Sequence, residues 1–479
     1  MEWALEFCNK CWEENVVPEI WHESRVAMIF KKGDPACCDN YRPISLLQIG
    51  YKLFAIIILH RLRNAGAQEQ IWPTQFGFKQ KCRTNDALFV ARRIIEEIWG
   101  MRDGKGVFLA LDWAKAFDSI SPEAFIRALI RRGRPSKLVA IISEIYKRRT
   151  FVVHDSGCCS EKKTQHYGIC QGCPLSPFLF TIVMTVLLHD AKEDFENMQG
   201  VVNETFVVQD LVYADDTLLI GVDGDRIQAY MESVVLIGAE YGLQLNWNKV
   251  EALPCRMNVR IESPSGENIT SKASMVYLGS LLSSDGKIMS EISRRLGMAR
   301  KDFEVLQTIW KHTSLTQSWK LHIFEVCIIS KLLYGLVTAV VNKAERCRLN
   351  GFQVRCIRRI LKVPPAYYSR VSNVRVLAMA GRKPLSELLE KQQMILMGKI
   401  AFRPHHDVVR RSIFQPGSFN LRPLPGPAKR GRPRIRWPIQ VLNMCVRSVG
   451  SYERLLDYWH FDNSSFAAWK TYVRKAVLN

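Results

Sequence analysis

The chain has 479 residues, of which 47% are hydrophobic and 24% are charged, as in ordinary globular proteins. This length allows two or more domains with a sizeable core. The charge balance is unusual, because 67 Lys and Arg residues against 46 Asp and Glu residues give a net charge of +21. Such a surplus favours a polyanionic partner, with nucleic acid first and an anionic membrane second, although a basic surface without a partner has the same composition.

The start of the chain and its longest apolar run indicate an intracellular protein with no membrane span. The opening MEWALEFCNK lacks the basic start and apolar core of a secretory signal. The longest apolar run, residues 53–59, is far shorter than a membrane-spanning helix.

The 14 cysteines favour a reduced compartment, because several lie in apolar or helical stretches where free Cys packs as a small hydrophobe. Cys327, Cys356 and Cys445 are examples. Two CxxC pairs, 8/11 and 170/173, lack a second Cys/His pair at zinc spacing, so we interpret them as core residues.

The first part of the chain, to about residue 285, alternates helices with short strands. VFLALD, residues 107–112, is predicted to be a buried strand. A helix should follow it, with Ser121 as N-cap, Pro122 at the first position and Gly133 as the stop. The apolar stripe of this helix is predicted at positions 125, 126, 129 and 130.

A longer helix and a hairpin come next. SPFLFTIVMTVLLHD, residues 176–190, begins with Ser176 as N-cap and Pro177 at the first helical position. It is apolar all round, which predicts a helix buried in the domain. FVVQDLVYADDTLLIGV, residues 206–222, consists of two β runs joined at two adjacent acids, and therefore predicts a hairpin.

The remaining chain is mostly helical to residue 402 and then becomes strongly basic. Residues 420–438, NLRPLPGPAKRGRPRIRWP, have the composition of a linker. Residues 401–479 carry 14 Lys and Arg residues against 4 Asp and Glu residues, a surplus of 10 out of 21. A disordered solubilising segment and a contact surface for backbone phosphates both fit this composition. Of the aromatic residues here, Trp459 and Trp469 are predicted to be core rather than base-stacking residues.

Three acids are candidates for chemistry. Asp112 ends the predicted strand, and Asp215 and Asp216 lie at the turn of the predicted hairpin. These carboxylates meet if the two elements are neighbours in one sheet, which is the arrangement that two-metal phosphoryl transfer requires. A solvated turn is the alternative, because acids favour turns.

Seven segments, in order, resemble the reverse transcriptases of non-LTR (LINE-like) retrotransposons. The likeness covers about residues 10–290, and seven motifs in register are a specific signal. The segments are KKGDPACCDNYRPISLL (31–47), QFGFKQKCRTNDAL (75–88), FLALDWAKAFDSI (108–120), GICQGCPLSPFLF (168–180), LVYADDTLLI (211–220), GLQLNWNKVEAL (242–253) and VYLGSLLSSDG (276–286).

The resemblance implies an α+β right-hand polymerase fold with a basic C-terminal extension at 401–479. The fingers would cover about residues 10–105, the palm with its antiparallel sheet about 106–290, and the helical thumb 291–400. The implied activity is that of an RNA-directed DNA polymerase, a nucleotidyltransferase that extends a primer with dNTPs on an RNA template. Two Mg²⁺ ions, with Mn²⁺ as a substitute, would serve as cofactors, and the implied partners are RNA template, DNA primer or RNA–DNA duplex and dNTPs. Residence in the nucleus would follow from the life cycle of such elements.

The resemblance also implies roles for single residues. The catalytic and metal-binding residues would be Asp112, Asp215 and Asp216. The nucleotide-binding residues would be Lys32, Arg42, Phe117, Gln171, Gly172 and Lys249. The template and primer contacts would be Arg83, Tyr213, Leu278 and Gly279. Lys31 is the alternative to Lys32, and Lys249 would protonate the leaving pyrophosphate or else be a solvated surface lysine.

Phe117 would leave no room for a 2′-hydroxyl and so select deoxynucleotides, with core packing as the alternative. Trp113 stands where the family more often has a smaller residue, which should affect packing rather than chemistry. The endonuclease domain that such elements often carry upstream is not expected in this chain.

Two other functions remain open. One is a catalytically inactive nucleic-acid-binding remnant of a retroelement. Retention of the three acids and of the fingers cations weighs against it. The other is a group II intron-type maturase, which has the same polymerase core. The YRPISLL segment, residues 41–47, and the lack of an HNH-type Cys/His cluster make it the weaker candidate.

Overall fold

The computed structural model describes residues 2–155, 157–200, 205–460 and 466–476. The strands are β1 (Glu23–Phe30), β2 (Tyr41–Leu46), β3 (Gly106–Leu111), β4 (Thr150–Asp155), β5 (Cys158–Cys159), β6 (Lys163–Thr164), β7 (Asp210–Tyr213), β8 (Asp216–Gly221), β9 (Glu251–Cys255), β10 (Thr270–Ser271), β11 (Ser274–Tyr277) and β12 (Ser280–Ser283).

Helices surround the strands and make up most of the second half of the chain. They are α1 (Glu2–Glu14), α2 (Ile49–Leu62), α3 (Thr84–Gly100), α4 (Ala116–Ser119), α5 (Pro122–Arg131), α6 (Ser136–Tyr146), α7 (Ser176–Gln199), α8 (Gly224–Glu240), α9 (Met289–Val305), α10 (Gln307–Lys311), α11 (Gln317–Phe324), α12 (Ser330–Leu333), α13 (Lys343–Leu361), α14 (Ala366–Ser369), α15 (Asn373–Met379), α16 (Leu385–Ala401), α17 (Val408–Arg411), α18 (Trp437–Val449), α19 (Tyr452–His460) and α20 (Phe466–Lys475).

The N-terminal sheet has the strand order β2-β1-β4-β5, with β6 also paired to β4. β1 is antiparallel to β2 and parallel to β4, which follows it by more than a hundred residues. This sheet therefore contains strands from two distant parts of the chain, and its β1–β2 loop carries the basic residues 31 and 32.

The central sheet has the order β10-β9-β3-β8-β7, with β3 in the middle and antiparallel to both neighbours. Four of the six residues of β3 are completely excluded from solvent or nearly so, as its apolar sequence predicts. α7 packs against α5 and α8, and its residues from Phe178 to Leu188 are all buried. The prediction of a helix buried on all sides is confirmed.

The structure corrects two local predictions. α5 begins after Ser121 with Pro122 in its first turn, as predicted, but its buried residues are Ala124, Phe125, Ala128 and Leu129. Ile130 is 60% exposed, so its assignment to the apolar stripe was wrong, because the small Ala124 and Ala128 face the neighbouring helix instead. The N-cap of α7 is Leu175 rather than the predicted Ser176.

The C-terminal helices share one hydrophobic core with α3. Trp437 and Trp469 are fully buried in this core and Trp459 nearly so, which confirms the core prediction for Trp459 and Trp469. Residues 420–436 contain no named helix or strand and connect α17 to α18 across the end of α3.

All 14 cysteines are free, and both CxxC pairs are buried, as predicted for core residues. Cys356 and Cys445 are buried as well, whereas Cys327 is only partly buried. Among the helices that the structure describes, none has the length and apolar content needed to cross a membrane.

Candidate active site

The register of the central sheet brings the three predicted acids to one edge. Leu111 of β3 lies opposite Thr217 of β8, so Asp112 and Asp216 follow and precede this pair on adjacent strands. Tyr213 pairs with Asp216, which places Asp215 in the two-residue turn between β7 and β8. The prediction that a strand-end carboxylate and a hairpin-turn carboxylate meet in one sheet is confirmed.

The turn that carries Asp215 is braced by a residue that the sequence did not single out. Ala214 has a φ of +60°, a conformation that non-glycine residues rarely adopt. The side-chain oxygen of Gln75, which is fully buried, accepts hydrogen bonds from the backbone N–H groups of Ala214 (2.9 Å) and Gly77 (2.8 Å). A Cβ at position 77 would lie 2.2 Å from the nitrogen of Ala214, so only glycine fits there. The QFG sequence at 75–77 thus positions the catalytic turn.

The acids lie in an environment that disfavours negative charge. Burial raises the pKa of Asp215, and repulsion from Asp112 adds to this, whereas Arg42 and Lys31 oppose it. Burial, followed by repulsion from Asp215 and Asp112, raises the pKa of Asp216 to about 6. Closely spaced carboxylates with too few cations around them attract a divalent ion, and their oxygens are the ligands that Mg²⁺ prefers.

Asp112 forms an ion pair with a lysine side chain. The ammonium of Lys249, at the end of a short 3₁₀ turn (Trp247–Lys249), lies 2.8 Å from Oδ2 of Asp112. The predicted leaving-group lysine therefore pairs with one of the three candidate acids, and its side chain is also 56% exposed to solvent. Lys32 lines the same cleft, together with Asp216 and Leu278.

A tighter acidic group lies elsewhere. Among the described residues, His189, Asp190 and Glu193 form a group of three whose possible ligand atoms all lie within 4.8 Å of one another. They are on the outer part of α7, where Asp190 also pairs with Arg131. The three candidate acids at the sheet edge do not form such a group among the described residues, and Asp112 bonds to Lys249 instead.

Phe117 forms an aromatic wall with two other phenylalanine rings. Its ring stacks on Phe180, with centroids 4.7 Å apart and planes inclined by 15°, and meets the edge of Phe78 at 6.2 Å. The side chain is only partly buried, so one part of the ring remains accessible. A ring that is packed on one side and accessible on the other is compatible with the predicted selection of deoxynucleotides. The packing against Phe180 and Phe78 holds the ring in place.

Gln171 and Gly172 connect this wall to the N-terminal sheet. The amide of Gln171 donates to both carboxylate oxygens of Asp118, at 3.0 and 3.1 Å. Gly172 has a φ of +120°, and a Cβ there would lie 2.6 Å from the carbonyl oxygen of Ser45. Its glycine is therefore required by the neighbouring strand β2, a reason that the sequence alone did not supply.

Of the template and primer candidates, Arg83 lies apart from the acids, whereas Tyr213, Leu278 and Gly279 lie at or beside the two hairpin turns. Arg83 is exposed at the N-cap of α3 and lines a large cavity between α3 and the C-terminal helices, apart from the acids. Tyr213 is partly buried at the end of β7, and burial raises its pKa. Leu278 and Gly279 form the two-residue turn between β11 and β12, both with positive φ (45° and 72°).

The β11–β12 turn is clamped from the C-terminal side, by residues that the sequence did not single out. Tyr334 donates a hydrogen bond to the carbonyl of Leu278 (2.9 Å), and Arg294 and Arg295 donate to the carbonyl of Gly279 (2.9 and 2.5 Å). These contacts join elements up to 56 residues apart, which no local pattern predicts.

Comparisons with known proteins agree with this site. The family model for reverse transcriptase (RNA-dependent DNA polymerase) matches residues 29–282, more than half of the chain. The chain is 26% identical over 395 residues to the RNA-directed DNA polymerase from mobile element jockey of Drosophila melanogaster, covering 78% of this chain and 41% of the relative. It is 24% identical over 423 residues to the Pol polyprotein of the type-1 retrotransposable element R2 of Popillia japonica, covering 84% and 56%.

A third relative is an uncharacterized 149 kDa protein of transposon TX1 from Xenopus laevis, 25% identical over 58% of this chain and 21% of its own length. The chain thus spans about a fifth to just over half of the length of these relatives. Among solved structures, a telomerase from Candida tropicalis with an RNA fragment is 12% identical, covering 85% of this chain and 67% of that chain with a TM-score of 0.41.

The mainly antiparallel central sheet with its acidic edge, the N-terminal sheet and the helical C-terminal part form the α+β right-hand polymerase fold that the sequence predicted. The chain belongs to the reverse transcriptase family, and its relatives are polymerases of non-LTR retrotransposons.

Proposed function

We propose that this chain is an RNA-directed DNA polymerase that extends a primer with dNTPs on an RNA template by two-metal phosphoryl transfer. The observation that supports this most directly is the meeting of Asp112, Asp215 and Asp216 at one edge of the central sheet. The sequence-based limits of fingers, palm, thumb and extension, and residence in the nucleus, stay predictions.

The three carboxylates fit a pair of divalent cations. Their oxygens are hard donors, and burial together with repulsion between the acids raises the pKa values of Asp215 and Asp216, so a bound cation would stabilise their ionised forms. When bound, two Mg²⁺ ions would lower the pKa of the primer hydroxyl and stabilise the charge on the leaving pyrophosphate. We assign Asp112 and Asp215 as the main ligands and Asp216 as the supporting one.

Basic residues around the cleft would bind the triphosphate and protonate its leaving group. Lys32 and Arg42 would bind its phosphates, the lysine as a point charge and the arginine through its planar guanidinium. Lys249, held 2.8 Å from Asp112, would supply a proton to the leaving pyrophosphate. Gln171 and Gly172 would adjoin the nucleotide, and Arg83, Tyr213, Leu278 and Gly279 would contact template and primer.

Primer extension tests the proposal directly. Purified protein with Mg²⁺, dNTPs and a primed RNA template should extend the primer. Asp215→Ala should lower the rate at least about 10³-fold, since a metal ion supplies several kcal/mol and each 1.36 kcal/mol is a factor of ten. Asp103→Ala, which removes an exposed acid outside the cleft, is the matched control and should extend normally.

The same assay distinguishes an active polymerase from a catalytically inactive remnant. If the wild-type protein binds a primed template but gives no product with Mg²⁺ or Mn²⁺, the chain is a catalytically inactive nucleic-acid-binding protein. If Asp215→Ala extends as fast as the wild type, the acids are not the catalytic centre.

Sugar selection has a separate test. Phe117→Ala should allow ribonucleotides to be incorporated, because the wall against the 2′-hydroxyl is removed. Phe180→Leu, which removes only the ring stacked behind Phe117, should relax selection less. Unchanged discrimination in Phe117→Ala would show that the ring serves packing alone.

A further inference from the structure

The chain carries an exposed basic segment, residues 429–435 with the sequence KRGRPRI, which we call the basic strap. Every residue in it is exposed, and it contains four cations and no acid. It lies outside the carboxylate cleft, and none of the roles assigned above uses it.

The strap is attached firmly at both ends. Before it, the backbone pairs with the end of α3: Arg102 donates to the carbonyl of Pro427 and Lys429 donates to the carbonyl of Gly100, both at 2.8 Å. After it, the side chain of Trp437 is fully buried and donates to the carbonyl of Val337 at 2.9 Å. The segment between these anchors is therefore displayed on the surface as a short bridge.

The four cations of the strap fall into two pairs that differ in their contacts. Arg434 stacks on Trp99 at 4.1 Å and donates to the carbonyl of Asp285 at 2.7 Å, and Lys429 also lies over the Trp99 ring, at 5.9 Å. Among the residues that the structure describes, Arg430 and Arg432 make no side-chain hydrogen bond or ion pair. Two unpaired guanidinium groups that flank one glycine are available to an anionic ligand.

The backbone between these arginines is slender. Gly431 has a φ of +92°, and a Cβ there would meet no atom within 4 Å, so its lack of a side chain is not required by packing. Pro433 follows, with a fixed φ and no N–H donor. The Arg-Gly-Arg-Pro sequence thus combines two long cations with a backbone that has almost no bulk between them.

This shape matches the minor groove of A·T-rich DNA. That groove is about 6 Å wide in B-DNA and narrower in A-tracts, where its enhanced negative potential attracts inserted arginines. The minor groove of A-form RNA is wide and shallow, so a slender strand finds no walls to contact there. We propose that the basic strap binds the minor groove of A·T-rich duplex DNA, with Arg430 and Arg432 inserted on either side of Gly431.

The position of the strap indicates a duplex other than the one in the cleft. The strap is bonded to residues 100–102, just before β3 begins at Gly106, whereas Asp112 follows the other end of β3. Six residues of strand separate these ends by about 20 Å. DNA bound here would be a segment of duplex outside the catalytic cleft.

Fluorescence anisotropy of the full chain tests the proposal. The probes are fluorescein-labelled A·T-rich DNA, G·C-rich DNA and RNA duplexes of equal length at one salt concentration. The wild-type protein should bind the A·T-rich DNA about tenfold more tightly than the other two, as expected for readout that distinguishes A·T from G·C pairs. Arg430→Ala/Arg432→Ala should remove this preference and reduce the slope of log K against log[salt] by about 2.

Two further variants separate shape from charge. Arg411→Ala/Arg447→Ala removes the same charge from exposed positions outside the strap and should keep the preference for A·T-rich DNA. Gly431→Val keeps every charge but adds bulk between the arginines and disfavours the backbone φ of +92°, so it changes the shape of the strap and should lower the preference several-fold. Circular dichroism and thermal unfolding would confirm that each variant is folded.

The outcomes are distinct. Equal affinity of the wild-type protein for A·T-rich and G·C-rich DNA, or equal losses in the strap and control variants, would overturn the proposal. Tightest binding to the RNA duplex would make RNA the partner. Asp215→Ala protein should bind as the wild type does, so the result does not depend on polymerase activity.

Discussion

Two hairpins of the molecule have turns of the same length but opposite electrostatics. The β7–β8 turn contains Ala214 and Asp215, and burial, followed by repulsion between neighbouring acids, raises the pKa values of Asp215 and Asp216. The β11–β12 turn contains Leu278 and Gly279, and two arginines and a tyrosine bond to its carbonyls. Both turns hold a non-glycine residue at positive φ, +60° and +45°.

The two turns differ in whether the protein itself supplies partners for their charged and polar groups. Around the β11–β12 turn, the buried Glu291 pairs with both Arg294 and Arg295, so each arginine has a carboxylate partner within the protein. Around the β7–β8 turn, a neutral glutamine fixes the backbone while the acids keep most of their repulsion. The β11–β12 turn thus finds its partners within the protein, whereas in our proposal the β7–β8 turn is held in shape for a divalent cation.

Removing Glu291 should have the largest effect on stability. Burial alone would raise the pKa of this carboxyl, but hydrogen bonds from Arg294 and Arg295 hold it below its ordinary value. Glu291→Ala leaves buried Arg295 without its counter-ion and should lower the free energy of unfolding by about 3–5 kcal/mol. Urea denaturation measures this change.

The matched control is Glu304→Ala, which breaks an exposed pair with Arg359 and should change the free energy of unfolding little, because solvent screens exposed ion pairs. Equal losses in the two variants would mean that the β11–β12 turn does not depend on a buried ion pair.

Removing Gln75 should have a smaller effect on stability but should also reach the active site. Gln75→Ala leaves the N–H groups of Ala214 and Gly77 without an acceptor, at a cost of about 1–3 kcal/mol. We expect kcat for primer extension to fall while KM for dNTP changes little, because the variant displaces Asp215 rather than the phosphate-binding cations.

Gln75→Glu keeps an acceptor oxygen but buries a carboxyl group beside the three acids, so it should recover little of the lost stability. An unchanged kcat in Gln75→Ala would show that the turn keeps its shape without the brace.

The sequence predicted those features that depend on neighbouring residues. The apolar run of β3, the hairpin with its two acids and the all-round apolar α7 were each visible as local patterns. The meeting of Asp112 with Asp215 and Asp216 was correctly inferred because a strand end and a hairpin turn have few ways to combine in one sheet.

Features that depend on distant partners were not predictable. Gln75 bonds to a turn that lies 139 residues away in the chain. The only indication of this role in the sequence was an amide side chain close to a glycine. The parallel pairing of β1 with β4 joins segments that share no pattern. Ile130 has an apolar side chain at a helical spacing, yet the face that α5 buries is chosen by its neighbours.

The smallest expected effect is a pH dependence from Asp216. Its pKa of about 6 exceeds that of an unfolded aspartate, so the folded state binds this proton more tightly. The resulting stabilisation is present below the unfolded pKa and is lost as the pH rises through about 6. Since Asp216 lies at the mouth of the cleft and keeps contact with solvent, which screens the repulsion, we expect only a modest slope in unfolding free energy.

Asp216→Asn should remove this slope, and so should saturating Mg²⁺, which favours the ionised form. Urea denaturation between about pH 4 and pH 7.5 would compare the two proteins. A difference in stability between wild type and variant that stays constant over this range would contradict the assigned repulsion.

Binding of Mn²⁺ tests most directly whether the three aspartates form one cation site. Electron paramagnetic resonance reports free Mn²⁺, so bound ions can be counted in the wild type, Asp112→Asn, Asp215→Asn and the control Glu193→Gln. Glu193 belongs to the separate group with His189 and Asp190. We predict that Asp112→Asn and Asp215→Asn each lose tight Mn²⁺ binding while Glu193→Gln keeps it. Loss in Glu193→Gln, with full binding in both aspartate variants, would contradict the assignment.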